Sequence, residues 1–117
     1  MNTQNTLEPE PGDALYARIL DWDEARAMDG QTVSFHVPGA EQGMAIEMQL
    51  VQVEQKAHET PGVRQFSLVF RGPRTPQLAQ RTYRVRHAQR GDFAIFITPV
   101  GQSATHTDYE ACFSHAA

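Results

Sequence analysis

"MAIEMQLVQVEQ", residues 44 to 55, alternates apolar and polar side chains through Met44, Ile46, Met48 and Leu50, then moves its apolar phase to Val51 and Val53. Period-two alternation is the pattern of a strand with one face in a core. A one-residue slip would turn every later side chain to the wrong face, so the phase change predicts a bulge or sharp bend near Leu50. A strand that re-aims its core face halfway along serves the corner of a small barrel or an orthogonal sandwich.

The same period recurs on both sides of this stretch. "QTVSFHV" sets Val33, Phe35 and Val37 against Ser34 and His36, and "FSLVF" supplies Phe66, Leu68 and Phe70. "RTYRVRH" places Tyr83, Val85 and His87 opposite Thr82, Arg84 and Arg86, and "AQRG" then reads as a hairpin turn. "FAIFITPV" is apolar on both faces, which predicts a central strand covered on both sides and ended by Pro99. "YEACFS" closes the chain with Tyr109, Ala111 and Phe113 in phase. Before Gln31 the period is helical. Leu15, Ile19 and Trp22 fall at i, i+4 and i+7, while Asp21 with Glu24 forms a capping box and Gly30 a stop, so a short helix is expected over 22–28. The expected fold is therefore mostly β: a small antiparallel barrel or sandwich of about six strands with a short N-terminal helix.

A chain of 117 residues, 40% hydrophobic and 21% charged, has enough apolar side chains for a single core. The first twelve residues, "MNTQNTLEPEPG", have almost nothing to bury, so residues 1–12 read as a disordered acidic tail and 13–117 as one β-rich domain. No basic stretch followed by an apolar run opens the chain, and no long apolar run crosses it, so cytoplasmic residence without membrane insertion is the expectation.

The usual signatures of chemistry are missing. His36, His58, His87, His106 and His115 are spread one per segment, with no paired spacing that aims two of them at a metal, so no metal or other cofactor is expected. The single cysteine, Cys112, reads as a half-buried strand thiol. No serine lies in a nucleophile elbow, and no glycine cluster builds a phosphate loop. "RGD" at Arg90 to Asp92 falls in the hairpin turn and reads as structure. The chain is thus expected not to be an enzyme. An enzyme whose histidines converge only in the fold, His36, His87 and His106 above all, is the minority reading.

Charge is segmental. Residues 1–59 carry eleven acids against three bases, 60–91 seven arginines and no acid, and 92–117 three acids. One reading is internal balance, with acidic segments flanking the basic strands and pairing across them. A second is a contact surface, in which Arg71, Arg74, Arg81, Arg84, Arg86 and Arg90 meet the carboxylates of a protein partner or of a second copy. A polyanion or nucleic-acid adaptor using residues 64–90 is a third, disfavoured by a pI near 5.6.

Taken together, "GQTVSF" (30–35), "FSLVFRGP" (66–73), "QRTYRVRH" (80–87), "FAIFITPVG" (93–101) and "YEACF" (109–113) resemble an uncharacterised bacterial domain family of unknown function. Members of that family are about 100 residues long and are often encoded near phage-tail-collar proteins. The acidic Pro-rich tail and "DWDEARAMDG" depart from its pattern. The resemblance implies a role in a tail-like or surface assembly and carries over no catalytic residue. The functional expectation is a structural or accessory protein that works through protein contacts or self-association.

Overall fold

The computed structural model describes residues 20–38, 44–56 and 61–116, so the expected tail and the helical pattern before Leu20 lie outside the described residues. Among the described residues one short helix, α1 (Trp22–Ala27), precedes six strands: β1 (Thr32–His36), β2 (Ala45–Gln55), β3 (Val63–Pro73), β4 (Arg81–His87), β5 (Gly91–Gln102) and β6 (His106–Ala116). The strands close into an antiparallel barrel in the order β1-β2-β3-β6-β5-β4, and this decides between barrel and sandwich.

Closure follows from two bends. In β2 the register passes from Leu50↔Phe70 to Gln52↔Val69, so Val51 is the extra residue of a bulge where the apolar phase slips. In β5 a second irregularity lies between Pro99 and Gly101. Bulges add local twist and turn a sheet back on itself. The last joint is short, Ser34↔Arg86 and Phe35↔Val85 between β1 and β4.

Inward side chains from every strand fill the lumen, among them Phe35, Leu50, Phe66, Phe70, Phe93, Ile95 and Tyr109. Phe35 meets Phe70 edge to face at 5.2 Å between centroids, a favoured aromatic geometry. The lumen is tight beside Gly72, where a Cβ would lie 2.9 Å from Met48 Cγ. That close approach accounts for the glycine in "FRGP".

The helix closes the end at which β1 and β3 begin. The Asp21 Oδ1 accepts the Glu24 N–H at 2.8 Å, so the expected cap forms, and Ala25 and Met28 are buried against the core. Gly30, at φ +85°, reverses the chain, and its N–H donates to the Leu50 carbonyl at 2.8 Å. Trp22 packs on Phe66 with centroids 5.3 Å apart. At the other end, the 74–80 connection buries Leu78, whose N–H donates to the Tyr109 hydroxyl at 2.8 Å.

Three local expectations are corrected. Phe96 is 51% exposed, so β5 is not covered on both sides. A closed barrel buries only its inner face, and among the described residues no second layer covers the outer one. Pro99 does not end β5, which continues to Gln102, because the missing N–H falls at the bulge. Cys112 lies on the outer face of β6 and is exposed, not half-buried.

Candidate functional site

The arginine block is the residue set singled out by sequence, and the fold divides it. In the barrel order β3 and β4 are separated by two strands in either direction, so Arg71 lies across the barrel from Arg84 and Arg86. Arg74 and Arg81 stand at the two ends of the 74–80 connection, and Arg90 sits in the turn at the opposite end of β4. The six do not form one stripe.

Four of them meet acids from the flanking segments. Arg71 pairs with Asp108, its direct neighbour in the β3–β6 register, through Nε–Oδ1 at 2.8 Å and Nη2–Oδ2 at 3.1 Å. Asp92 stands opposite Arg86 in the β4–β5 hairpin and takes both Arg84 and Arg86: Arg84 Nε donates to Oδ2 at 2.7 Å, and Arg86 Nε to Oδ1 at 2.8 Å. Arg90 approaches Glu24 of α1 at 4.0 Å. The Arg86 and Arg84 guanidiniums hold Asp92 below the usual carboxylate range, and Arg71 does the same for Asp108. These contacts are the internal balance that the segmental charge suggested. Arg74 instead donates to the Ser103 carbonyl at 2.9 Å, and Arg81 lies 5.8 Å over the Tyr83 ring; neither has an acid partner among the described residues.

Sequence reasoning missed two members of this surface. In the sequence Asp92 reads as part of a turn tripeptide and as one of three acids flanking the arginines, without a named partner; it and Arg86 are equidistant from the turn centre, which is the signal that pairs them. The apolar run around Phe96 predicts a covered side chain. Phe96 stands opposite Thr82 on the outer face, two residues along from the Arg84↔Ala94 pair, so an exposed ring lies next to Arg84 on that face.

His58 lies outside the described residues, and His36, His87 and His106 do not converge. His36 ends β1, His106 begins β6 on the opposite wall, and His87 lies at the other end of the barrel. Among the described residues no three His, Cys, Asp or Glu side chains form a group that could hold a metal ion. His87 has a structural environment: it is buried, its Nδ1 accepts the N–H groups of Gln89 at 3.1 Å and Arg90 at 3.2 Å, and its Nε2 lies 2.6 Å from Gln31 Oε1. With Nδ1 accepting, Nε2 carries the proton and donates to Gln31.

Burial and then the Arg90 charge lower the His87 pKa from its ordinary value of 6.5. The unfolded chain therefore binds this proton more tightly, and the stability His87 contributes is complete above about pH 6.5 and lost as pH falls through the folded-state value. Thermal melts from pH 8 to pH 5 are expected to show a fall in Tm below about pH 6.5 that His87→Gln flattens. An equally steep fall in the variant would assign the titration to another group.

The class defined by these features is a small closed β-barrel with a helical plug, bearing paired arginines on its outer wall. Residues 20–113 match the family model described as a domain of unknown function, DUF6916, and the chain belongs to that family. No curated protein and no solved structure matches it.

Proposed function

We propose that this barrel is a non-enzymatic accessory protein that acts through protein contacts, using the outer face of β4 and β5 as its contact surface. The observation that carries the reading is Phe96, a large ring 51% exposed in the middle of a regular strand, on the same outer face as Arg84 and, one position further along that face, Arg86. Buried aromatic anchors ringed by arginine are the usual composition of protein interfaces. The ion pairs with Asp92 hold Arg84 and Arg86 in place, so less side-chain freedom is lost when a partner's carboxylates arrive. Self-association fits this surface, as does a place in a tail-like or surface assembly of the kind the family resemblance implies.

Light scattering over a range of concentrations and salt tests the reading. The expected result is a mass above the 13.1 kDa monomer that falls as salt rises and returns to the monomer in Phe96→Glu. A chain monomeric throughout, yet retained on heparin in a salt-dependent manner, would instead favour the polyanion reading.

A further inference from the structure

β5 lies between β4 and β6 in the wall, and the two registers fix the outward side chains around Phe96. Phe96 stands opposite Thr82, Arg84 opposite Ala94, and Glu110 opposite Thr98. All point outward, since the inward set here is Tyr83, Val85, Ile95, Ile97, Tyr109 and Ala111. Arg84 is therefore one strand to one side of Phe96 and two residues along; Glu110 is one strand to the other side and two residues along in the opposite direction. At a strand spacing of about 4.8 Å and a rise of about 3.4 Å per residue, each lies about 8 Å from Phe96 on a single diagonal, with the ring midway.

The two ends of this diagonal carry opposite charges. Glu110 has no ion pair and no side-chain hydrogen bond among the described residues, and its lateral neighbours on the face, Val69 and Thr98, are uncharged. Arg84 is held on Asp92 Oδ2 through Nε and Nη2, each at 2.7 Å. A guanidinium has five N–H donors, so a second carboxylate can share one that is already paired. Ala94 and Thr98 along β5, and Thr82 across from the ring, are small, which leaves Phe96 the tallest side chain at the centre.

We infer that the partner of this face is a second copy of the chain, related by a two-fold axis that lies in the interface, passes through the Phe96 position and runs perpendicular to the diagonal. The inference rests on the reading of β4 and β5 as a contact surface and adds Glu110 of β6 to it. Such an axis exchanges the two ends of the diagonal: Phe96 meets the partner's Phe96, and Glu110 of each copy meets Arg84 of the other. A two-fold contact uses one patch on both subunits and needs it to be self-complementary, which opposite charges equidistant from an aromatic centre supply. An axis along the diagonal would instead set arginine on arginine and glutamate on glutamate, and like charges are repelled. The barrel wall curves away on both sides of β5, and the long Arg84 and Glu110 side chains reach across the gap that two convex walls leave. A contact of one ring pair and two ion pairs is small, so the dimer is expected to dissociate on dilution.

Light scattering on charge-swapped chains tests the arrangement. Glu110→Arg alone sets arginine against arginine twice per dimer, and Arg84→Glu alone sets glutamate against glutamate twice, so each should self-associate about tenfold or more weakly than the wild type. An equimolar mixture of the two variants restores opposite charges at both contacts and should return to twice the 13.1 kDa monomer. A second readout does not depend on the stability of Arg84→Glu. In a Cys112→Ser background, Phe96→Cys should oxidise to a disulfide-linked dimer, because position 96 faces itself across the axis, whereas Glu110→Cys, about 16 Å from its mate, should not. A wild-type dimer that Phe96→Glu dissociates, with a mixture no heavier than its components, would overturn the two-fold arrangement and leave the contact face standing. A mass that grows beyond two copies, or a wild type monomeric at millimolar concentration, would also overturn it. A dimer untouched by Phe96→Glu would remove the contact face itself and this inference with it.

Discussion

Alanine at Phe70 is expected to destabilise the fold by about 3–5 kcal/mol, whereas alanine at Phe96 should cost less than about 1 kcal/mol. Phe70 is 0% exposed, packed edge-on against Phe35 and aligned with Leu50 and Tyr109 across the two neighbouring strands. Removing its ring forfeits the transfer energy of the buried surface and leaves a cavity that a closed lumen cannot collapse to fill. Phe96 faces outward, so its truncation leaves a smaller ring of contacts and no void. Urea denaturation of the two variants gives both numbers. Equal losses would mean that the outer face of β5 is covered by something other than solvent.

Reversing both Arg84 and Arg86 to glutamate should lower stability at neutral pH by about 2–3 kcal/mol, short of the 3–5 of a fully buried pair because the site is partly solvated. The Asp92 side chain is only 17% exposed and Arg84 only 19%, although Arg86 is 56% exposed. The two new carboxylates would face an acid that has lost both partners. The pH dependence gives the change a signature. In the wild type Asp92 has a depressed pKa, so its stabilising contribution is present above about pH 3.8 and is lost as pH falls through the lower folded-state value. In the double variant the carboxylates repel one another at pH 7, and acidification relieves that repulsion, so the gap in Tm between the two proteins should narrow as pH falls. A variant as stable as the wild type at pH 7 would show that the pairs with Asp92 contribute nothing to the fold, leaving contact with a partner as their use.

The sequence by itself determined the strands, the helix cap and the bend at Leu50, because these depend on near neighbours. Side-chain phase alternates along one strand, Asp21 and Glu24 are three residues apart, and a phase slip is visible within twelve letters. The Arg86–Asp92 pair, which the sequence reading leaves unassigned, needs only the hairpin register, since the turn relates its two strands by simple reflection. Tertiary structure alone decided that the sheet closes, because closure depends on the short β1–β4 joint between distant segments. Closure then settled what local pattern could not. It made one face of β5 a surface despite its apolar residues, and so exposed Phe96. It also placed Arg71 across the barrel from Arg84 and matched it with Asp108, 37 residues away, so that a run of arginines contiguous in sequence is scattered over the wall and largely answered by acids. Period two says which side chains share a face; only the path of the whole sheet says which face meets water and which charges meet each other.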